Sequence, residues 1–138
     1  MKKRLPVAVK RYIDAAHVCR IATVRPDGTP HVIPVCPVFD GEATAYVDLA
    51  PDSVTARGLR ANPHVAVLID EYDDDWTRLR KVLLHCTARP VKGAERTAAW
   101  RRIRAKYPQY TTVDWKPRFT VALLVESWMQ EGVVGVRS

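Results

Sequence analysis

Two Asp-Gly steps, each set between short runs rich in valine and isoleucine, constrain the fold more than any other feature. Asp27-Gly28 separates "VCRIATV" from "HVIPVCPVF", and Asp40-Gly41 separates that run from "ATAYVDL". Asp-Gly is typical of tight turns between neighbouring antiparallel strands. Because parallel strands need long crossover connections, these turns predict an antiparallel sheet.

The rest of the chain predicts further strands with helices between them. Pro34 and Pro37 each remove a backbone donor, so the second strand should lie at an edge or carry a bulge. The nearly all-apolar "HVAVLIDEY" predicts a strand buried on both faces. The remaining strand candidates are "RLRKVLLHCTARPV", "RFTVALLVESW" and "GVVGVR". Six or seven strands and three helices favour a small, mostly-β barrel with helices at its ends.

Three helices are predicted from their apolar spacing and end signals. They cover residues 6–17, a short segment within 48–63, and residues 93–107. The inward-facing side chains predicted for the first helix are Val7, Val9, Tyr12, Ile13 and Ala16, and those for the last are Ala98, Ile103 and Tyr107.

The chain has the size of one domain, with 138 residues, 47% hydrophobic and 27% charged, so we expect a single domain over residues 1–138. No apolar run approaches the roughly 20 residues of a membrane helix. The basic N-terminal stretch is interrupted by Lys10, Arg11 and Asp14, which argues against a signal peptide. Without any CxxC spacing, the cysteines indicate free thiols in a reducing cytoplasm; they are Cys19, Cys36 and Cys86.

The net charge of +7 favours an anionic partner such as a phosphorylated cofactor, an acidic substrate or nucleic acid, with solubility as the plainer alternative. Much of the charge lies in "RTAAWRRIRAKY", where Trp100 and Tyr107 could stack on bases. A solvated helix face is the commoner outcome of such a pattern. We therefore do not expect a nucleic-acid partner or a membrane partner.

The familiar catalytic motifs are absent: there is no GxSxG, GxxxxGK[ST], HExxH or GxGxxG. The acidic run "DEYDDDW" lacks EF-hand spacing, so we expect an exposed loop and no metal. Trp76, which ends this run, could cap the barrel or stack on a planar ligand. No two of the histidines stand at metal-ligand spacing; His31 and His64 open strands, His85 lies within one, and His17 follows the first helix.

The segment "DLAPDSVTARGLRANP" combines helix start signals with two arginines. A helix N-terminus offers unpaired N–H groups and a positive dipole potential, both of which suit a phosphate. Ser53 can donate a hydroxyl hydrogen bond, and Arg57 and Arg60 share a face and can add charge-assisted bonds. A capped connector with two surface arginines explains the same residues, and the chemistry alone leaves both interpretations open.

Four features follow one another along the chain: "CRIATVRPDGTPHVIPVCPVFDGEATAYVDL", Ser53, "LRANPHVAVLID" and a late Trp128. In this order they resemble the pyridoxamine 5′-phosphate oxidase-like, flavin-binding split-barrel superfamily. The resemblance covers about residues 6 to 137. Within the superfamily, "LIDEYDDDWTRLRKV" is similar to a branch of small proteins assigned to the deazaflavin coenzyme F-420, and relatives of that branch bind flavin mononucleotide (FMN). The resemblance implies an α+β fold: a six-stranded antiparallel split barrel with about three peripheral helices. It also implies a homodimer with cofactor grooves at the interface.

The resemblance also implies a set of cofactor-binding residues. The isoalloxazine ring would rest against the second strand, from His31 to Cys36 and including Ile33, Pro34 and Val35. Tyr46, Val47 and Asp48 would end the third strand beside the ribityl chain. Ser53 matches the phosphate serine, and Trp76, Lys81 and Trp128 would come from the interface region, partly from the partner chain.

Two departures from the family pattern affect the phosphate end. Where pyridoxamine oxidases have Arg and Lys after the serine, this chain has Val54 and Thr55, and Ala50 and Asp52 replace lysines common in the deazaflavin branch. Phosphate binding would therefore depend on Thr55, Arg57 and Arg60, and a true vitamin B6 oxidase is not expected.

The resulting hypothesis is an FMN-binding oxidoreductase that acts on a small planar organic substrate by hydride transfer, with catalytic residues undefined. The alternatives are a deazaflavin (coenzyme F-420)-dependent reductase and a non-catalytic flavin- or haem-binding protein of the same fold. For the haem alternative, His85 or His17 would be the candidate iron ligand.

Overall fold

The computed structural model describes residues 4–135. Within this range, no helix is long and apolar enough to cross a membrane. In chain order the elements are α1 (Val7–Ala15), β1 (Cys19–Val24), β2 (Pro30–Val35), β3 (Val38–Phe39), β4 (Thr44–Leu49), α2 (Val54–Ala61), β5 (His64–Glu71), a 3-10 turn (Trp76–Arg78), β6 (Arg80–Pro90), α3 (Gly93–Lys106), α4 (Gln109–Thr112) and β7 (Phe119–Glu131).

The strands form one antiparallel sheet in the order β2-β1-β5-β6-β7-β4-β3, which confirms the predicted α+β split-barrel class. Both Asp-Gly turns form as predicted. Gly41 has a φ of +87°, a backbone conformation that other residues rarely adopt. The Asp40 carboxylate accepts hydrogen bonds from the amides of Glu42, Ala43 and Thr44, which closes the turn into β4.

The sheet has seven strands rather than the six that the resemblance implies. The predicted second strand is divided by Cys36 and Pro37 into β2 and β3, which lie at opposite edges of the sheet. The edge position of β2 confirms the prediction from Pro34, because an edge strand does not need that residue's missing N–H.

The sheet curls around one main core. Ile21 of β1, Phe39 of β3 and Leu84 of β6 belong to the same buried cluster, although their strands span the sheet from one side to the other. The Tyr107 hydroxyl stabilises this curl by joining two segments. It donates to the carbonyl oxygens of Pro37, at 2.6 Å, and His17, at 3.1 Å.

A second core lies on the outer face of β3, β4 and the start of β7, beneath α3. Trp100 is 1% exposed, and its indole N–H donates to Thr120 Oγ1 over 3.0 Å. Ala99 is buried in α3, whereas Ala98 is exposed, so the predicted inward position of Ala98 was wrong by one residue. Because Trp100 and Tyr107 are buried, neither side chain is presented on the basic surface of this helix.

Other sequence expectations need smaller corrections. Val7 of α1 is 62% exposed, because only Val9, Tyr12 and Ile13 point into the core. Strand β5 is fully buried on one face only, since Ala66 and Leu68 on the other face are half-buried. The predicted strand "GVVGVR" does not form over residues 132–135, and its remainder lies outside the described residues.

Candidate cofactor site

The start of α2 leaves anion-binding groups without partners. Ser53 caps the helix, with its Oγ accepting from the Ala56 amide over 3.1 Å, so its own proton remains to be donated. The Arg57 amide bonds to the Ser53 carbonyl oxygen over 3.0 Å. Among the described residues, the amides of Val54 and Thr55 have no acceptor. Val54 is half-buried and Thr55 is buried, so the Val54 amide and the Ser53 hydroxyl are the groups that remain for a ligand.

Helix α2 lies against β1 and β2 because Gly58 permits a close approach. A Cβ built on Gly58 would lie 2.9 Å from the Val24 carbonyl oxygen. Real Cβ atoms do not come so near, so a side chain at this position would push the helix away from the strand. The glycine thus permits α2 to pack closely on β1, and no local sequence signal predicts this role.

The two arginines of α2 have different surroundings. Arg60 Nη1 donates to the Pro51 carbonyl oxygen over 2.6 Å, and its guanidinium lies 4.2 Å from the Phe119 ring centroid. Arg57 is exposed and has no hydrogen-bond or ion-pair partner within residues 4–135. Thr55 is 1% exposed as a whole residue, so neither its amide nor its hydroxyl is open to a ligand at the surface.

The second strand supplies an open backbone edge next to this helix. His31, Ile33 and Val35 are half-buried on the face toward the core, whereas Pro34 and Cys36 are exposed. Because β2 is an edge strand, its outer N–H and C=O groups are not paired within the sheet. The prolines of this strand contribute no N–H group. Such an edge can contact the polar rim of a planar ring.

The predicted residues of β4 have structural partners in this chain. The Tyr46 hydroxyl donates to Glu95 of α3 over 2.9 Å, and burial together with Glu95 raises the pKa of Tyr46 to about 12. Val47 is buried in the main core. The Asp48 side chain is 1% exposed and accepts from Thr120 Oγ1 at 2.9 Å and from the Arg118 amide at 3.2 Å. These side chains hold α3 and the segment before β7 in place.

Three predicted residues lie away from α2. Trp76, which is 68% exposed, and Lys81, which is 3.5 Å from Glu131, lie at the end of β5 and β6 opposite the α2 connection. Trp128 of β7 is half-buried against the main core. Within one chain the structure therefore brings together β2 and the start of α2, but not these three residues.

One sheet face is open, and it was not foreseen from the sequence. We define the open face as the outward side chains of β2, β1, β5, β6 and of β7 from Leu124 onward. Its exposed apolar members include Val32 at 61%, Leu124 at 42% and Met129 at 50%. Cross-strand pairing sets Ala22 beside Val32 and Ala66, and sets Leu83 beside Leu68 and Met129. Charged side chains such as Arg20 and Lys81 lie in the same outward rows, so the apolar residues form a patch within the open face. Exposed apolar patches are typical of interaction surfaces.

The part of the chain that the structure describes contains no evident metal site. No group of three or more His, Cys, Asp or Glu side chains there could hold a metal ion. The acidic run after β5 is exposed apart from the half-buried Asp73, and Asp75 caps the 3-10 turn by accepting from the Thr77 amide.

Comparison with known proteins identifies the family. Residues 5–128 match the sequence pattern of the family described as pyridoxamine 5′-phosphate oxidase. The chain belongs to this family. The match includes β2, β4 and the start of α2, so the elements that form the candidate site lie within the family region. No curated protein matches the sequence.

Several solved structures have a fold similar to that of this chain. A protein of unknown function from Agrobacterium tumefaciens has a TM-score of 0.78 at 20% identity; the match covers 93% of this chain and 57% of that one. HutZ, a haem storage protein from Vibrio cholerae, has a TM-score of 0.77 at 18% identity, with 97% of both chains covered. An FAD-binding protein from Mesorhizobium loti has a TM-score of 0.68 at 23% identity, with 87% and 88% covered. The chain spans little more than half the length of the Agrobacterium protein, and these likenesses show the fold alone.

Proposed function

We propose that this protein binds FMN and acts as an oxidoreductase on a small planar organic substrate by hydride transfer. The observation that carries the proposal is the start of α2: in a chain of the pyridoxamine 5′-phosphate oxidase family, it presents an amide without an acceptor, a hydroxyl whose proton is not donated and an arginine without a partner among the described residues. This group of donors suits a phosphate monoester.

The residues present fit the phosphate end of FMN despite the missing family charges. Ser53 would donate its hydroxyl proton, the Val54 amide would bind a phosphate oxygen, and Arg57 would supply a full positive charge. Arg60 would act indirectly, because its bond to Pro51 holds the turn before the helix.

The ring would lie along the free edge of β2, where backbone groups of residues 31–36 would contact its polar rim. FMN, when bound, supplies the hydride chemistry, and the protein's part is to orient the ring and exclude water. This division of roles agrees with a sequence that has no motif for a general acid, a base or a nucleophile.

We propose a homodimer formed through the open face. A second copy seated there would cover Val32, Leu124 and Met129, and could bring Trp76, Lys81 and Trp128 of one protomer toward the cofactor of the other. Val32→Glu and Met129→Glu should convert the dimer to monomer in sedimentation experiments. Val113→Glu, at a residue 52% exposed in the segment after α4, is the matched control and should leave the dimer intact. A stable wild-type monomer would contradict the shared groove.

The deazaflavin coenzyme is the alternative within the same site. Its long anionic tail would suit the net charge of +7, whereas the absent lysines favour FMN. Thermal melting with each cofactor in turn, at the same concentration, decides between them, because the cofactor that binds more tightly stabilises the folded state more.

Haem is a second candidate ligand, favoured by one further feature. His85 is exposed on the open face and borders a hollow of about 390 Å³ above Ala22 and Ala66. His17 is less suited, since its ring packs edge-on against Tyr107 at 5.8 Å. Haem ligation by His85 predicts a Soret band that His85→Ala abolishes and His17→Ala preserves.

One experiment tests the cofactor proposal as a whole: absorbance and mass spectrometry of the ligand that co-purifies, followed by titration of the apoprotein. A flavin spectrum with the mass of FMN is the expected result. A deazaflavin or haem spectrum would support the corresponding alternative. Failure of FMN, deazaflavin and haem to bind would reject all three.

A further inference from the structure

A second cavity lies at the opposite end of β5 from the candidate cofactor site. It has a volume of about 520 Å³ and opens between the C-terminal half of α1 and the adjoining ends of β5 and β6. The eight residues of β5 span about 23 Å from the α2 connection to this end. The cavity is therefore separate from the donors at the start of α2.

The wall that α1 contributes is made of small side chains. Ala8, Ala15 and Ala16 line the cavity. Val18, just before β1, and Ile69 of β5 add apolar surface. Small residues on this face of the helix leave space that larger ones would fill. The hollow can accept the apolar part of a ligand.

The acidic side chains of the cavity are neutralised by arginines. Asp70 Oδ1 lies 3.4 Å from Arg20 Nη1, and Glu71 Oε1 lies 2.7 Å from Arg80 Nη2. Arg80 also stacks over the Tyr12 ring, 5.0 Å from its centroid, which fixes the guanidinium in this position. These acids therefore repel an incoming anion only weakly.

Arg11 lines the same cavity without a neutralising partner. Within residues 4–135 its side chain has no hydrogen bond or ion pair. His17 belongs to the same lining, two residues after the end of α1. The cavity thus combines apolar walls with one uncompensated positive charge, which is the complement of a small molecule with an apolar body and one anionic group.

We propose that this cavity binds a small amphipathic organic anion, with its carboxylate or sulfonate at Arg11 and His17 and its apolar part against the alanines of α1. The proposal does not depend on which cofactor occupies the other site.

The test uses 8-anilinonaphthalene-1-sulfonate, a fluorescent aromatic sulfonate, with FMN-saturated protein. The wild type should bind the probe saturably. Arg11→Gln should weaken binding at least five-fold, Arg11→Lys should stay within two-fold of wild type, and Ala15→Leu should block binding by filling the hollow. Arg101→Gln removes the same charge from an exposed position on α3 and is the matched control, expected to change nothing. Equal losses in Arg11→Gln and Arg101→Gln, or full binding by Ala15→Leu, would overturn the proposal.

Competition identifies the ligand class and separates this site from the cofactor site. Octanoate should displace the probe, whereas 1-octanol, with the same chain and no charge, should displace it far less; equal displacement would reject the role of charge. FMN should not compete with the probe in apoprotein, and competition would place the probe in the cofactor groove and reject the second site. If FMN does not bind at all, the proposed function fails while the effect of Arg11→Gln still decides this proposal.

Discussion

The guanidinium of Arg60 donates a 2.6 Å hydrogen bond to the carbonyl oxygen of Pro51, nine residues earlier in the chain. This bond ties the C-terminal half of α2 to the turn that leads into the helix. Arg57, on the same helix, has no comparable partner in the described part of the chain. Two arginines that are equivalent in the sequence pattern thus differ in surroundings: Arg60 holds the turn, whereas the Arg57 side chain is exposed.

Arg60→Ala should lower the free energy of unfolding by about 1 kcal/mol, because a charge-assisted hydrogen bond and the stacking on Phe119 are lost at a largely exposed site. Urea denaturation monitored by tryptophan fluorescence measures the change. Arg57→Ala is the control and should stay within about 0.5 kcal/mol of wild type. Equal destabilisation by the two substitutions would contradict the difference in role.

Gly58→Ala should destabilise the protein, the reverse of the usual effect in a helix. Alanine normally stabilises a helix interior by about 0.5–1 kcal/mol relative to glycine. Here the new methyl group would lie 2.9 Å from the Val24 carbonyl oxygen, so α2 must move away from β1. We expect a net loss of about 1–3 kcal/mol in thermal or urea unfolding. A gain in stability would show that the contact between helix and strand is loose.

Thr23→Val should stabilise the protein by about 1 kcal/mol. Thr23 is 2% exposed, and its hydroxyl has no hydrogen-bond partner in the described structure, so an isosteric methyl group removes a desolvation cost. Thr120→Val is the matched control, because the Thr120 hydroxyl accepts from Trp100 and donates to Asp48. Thr120→Val should destabilise the protein. Differential scanning calorimetry should therefore show a raised melting temperature for Thr23→Val and a lowered one for Thr120→Val.

Alkaline pH should weaken the fold through Tyr46. Its pKa is raised to about 12, first by burial and then by the hydrogen bond to Glu95. A raised pKa means that the folded state holds the proton more tightly than the unfolded chain does. The stabilisation is complete below the unfolded value near 10 and is lost as the pH rises toward 12.

Unfolding free energies measured between pH 8 and 12 test this contribution. Tyr46→Phe should flatten the decline above pH 10, whereas Tyr72→Phe, at a residue 72% exposed, should leave it unchanged. Identical profiles for wild type and Tyr46→Phe would show that Tyr46 does not contribute to the pH dependence.

The parts of the fold that could be predicted from the sequence were those encoded locally. Asp27-Gly28 and Asp40-Gly41 set their turns through nearby amides, so both hairpins formed as predicted. The division of the second strand was not predicted, because the donors that Pro34 and Pro37 lack indicate only an edge or a bulge. They do not show that the chain crosses between opposite edges of a curled sheet.

The roles of individual site residues depended on distant partners that a sequence pattern does not show. Tyr46 bonds to Glu95, 49 residues away, and Asp48 to the Arg118 amide, 70 residues away. The position of Ser53 at the start of α2 was predicted correctly, because helix capping is a local signal. Gly58 was missed because its reason is a contact with Val24 across the chain.

The central claim is that the start of α2 binds the phosphate of FMN. Titration of apoprotein with FMN and with riboflavin, by flavin fluorescence quenching, tests it most directly. Arg57→Ala should weaken FMN binding about ten-fold or more, equivalent to about 1.4 kcal/mol, and should leave riboflavin binding within two-fold of wild type. Equal losses for FMN and riboflavin, or no loss for FMN, would contradict the assignment of this helix start as the phosphate site.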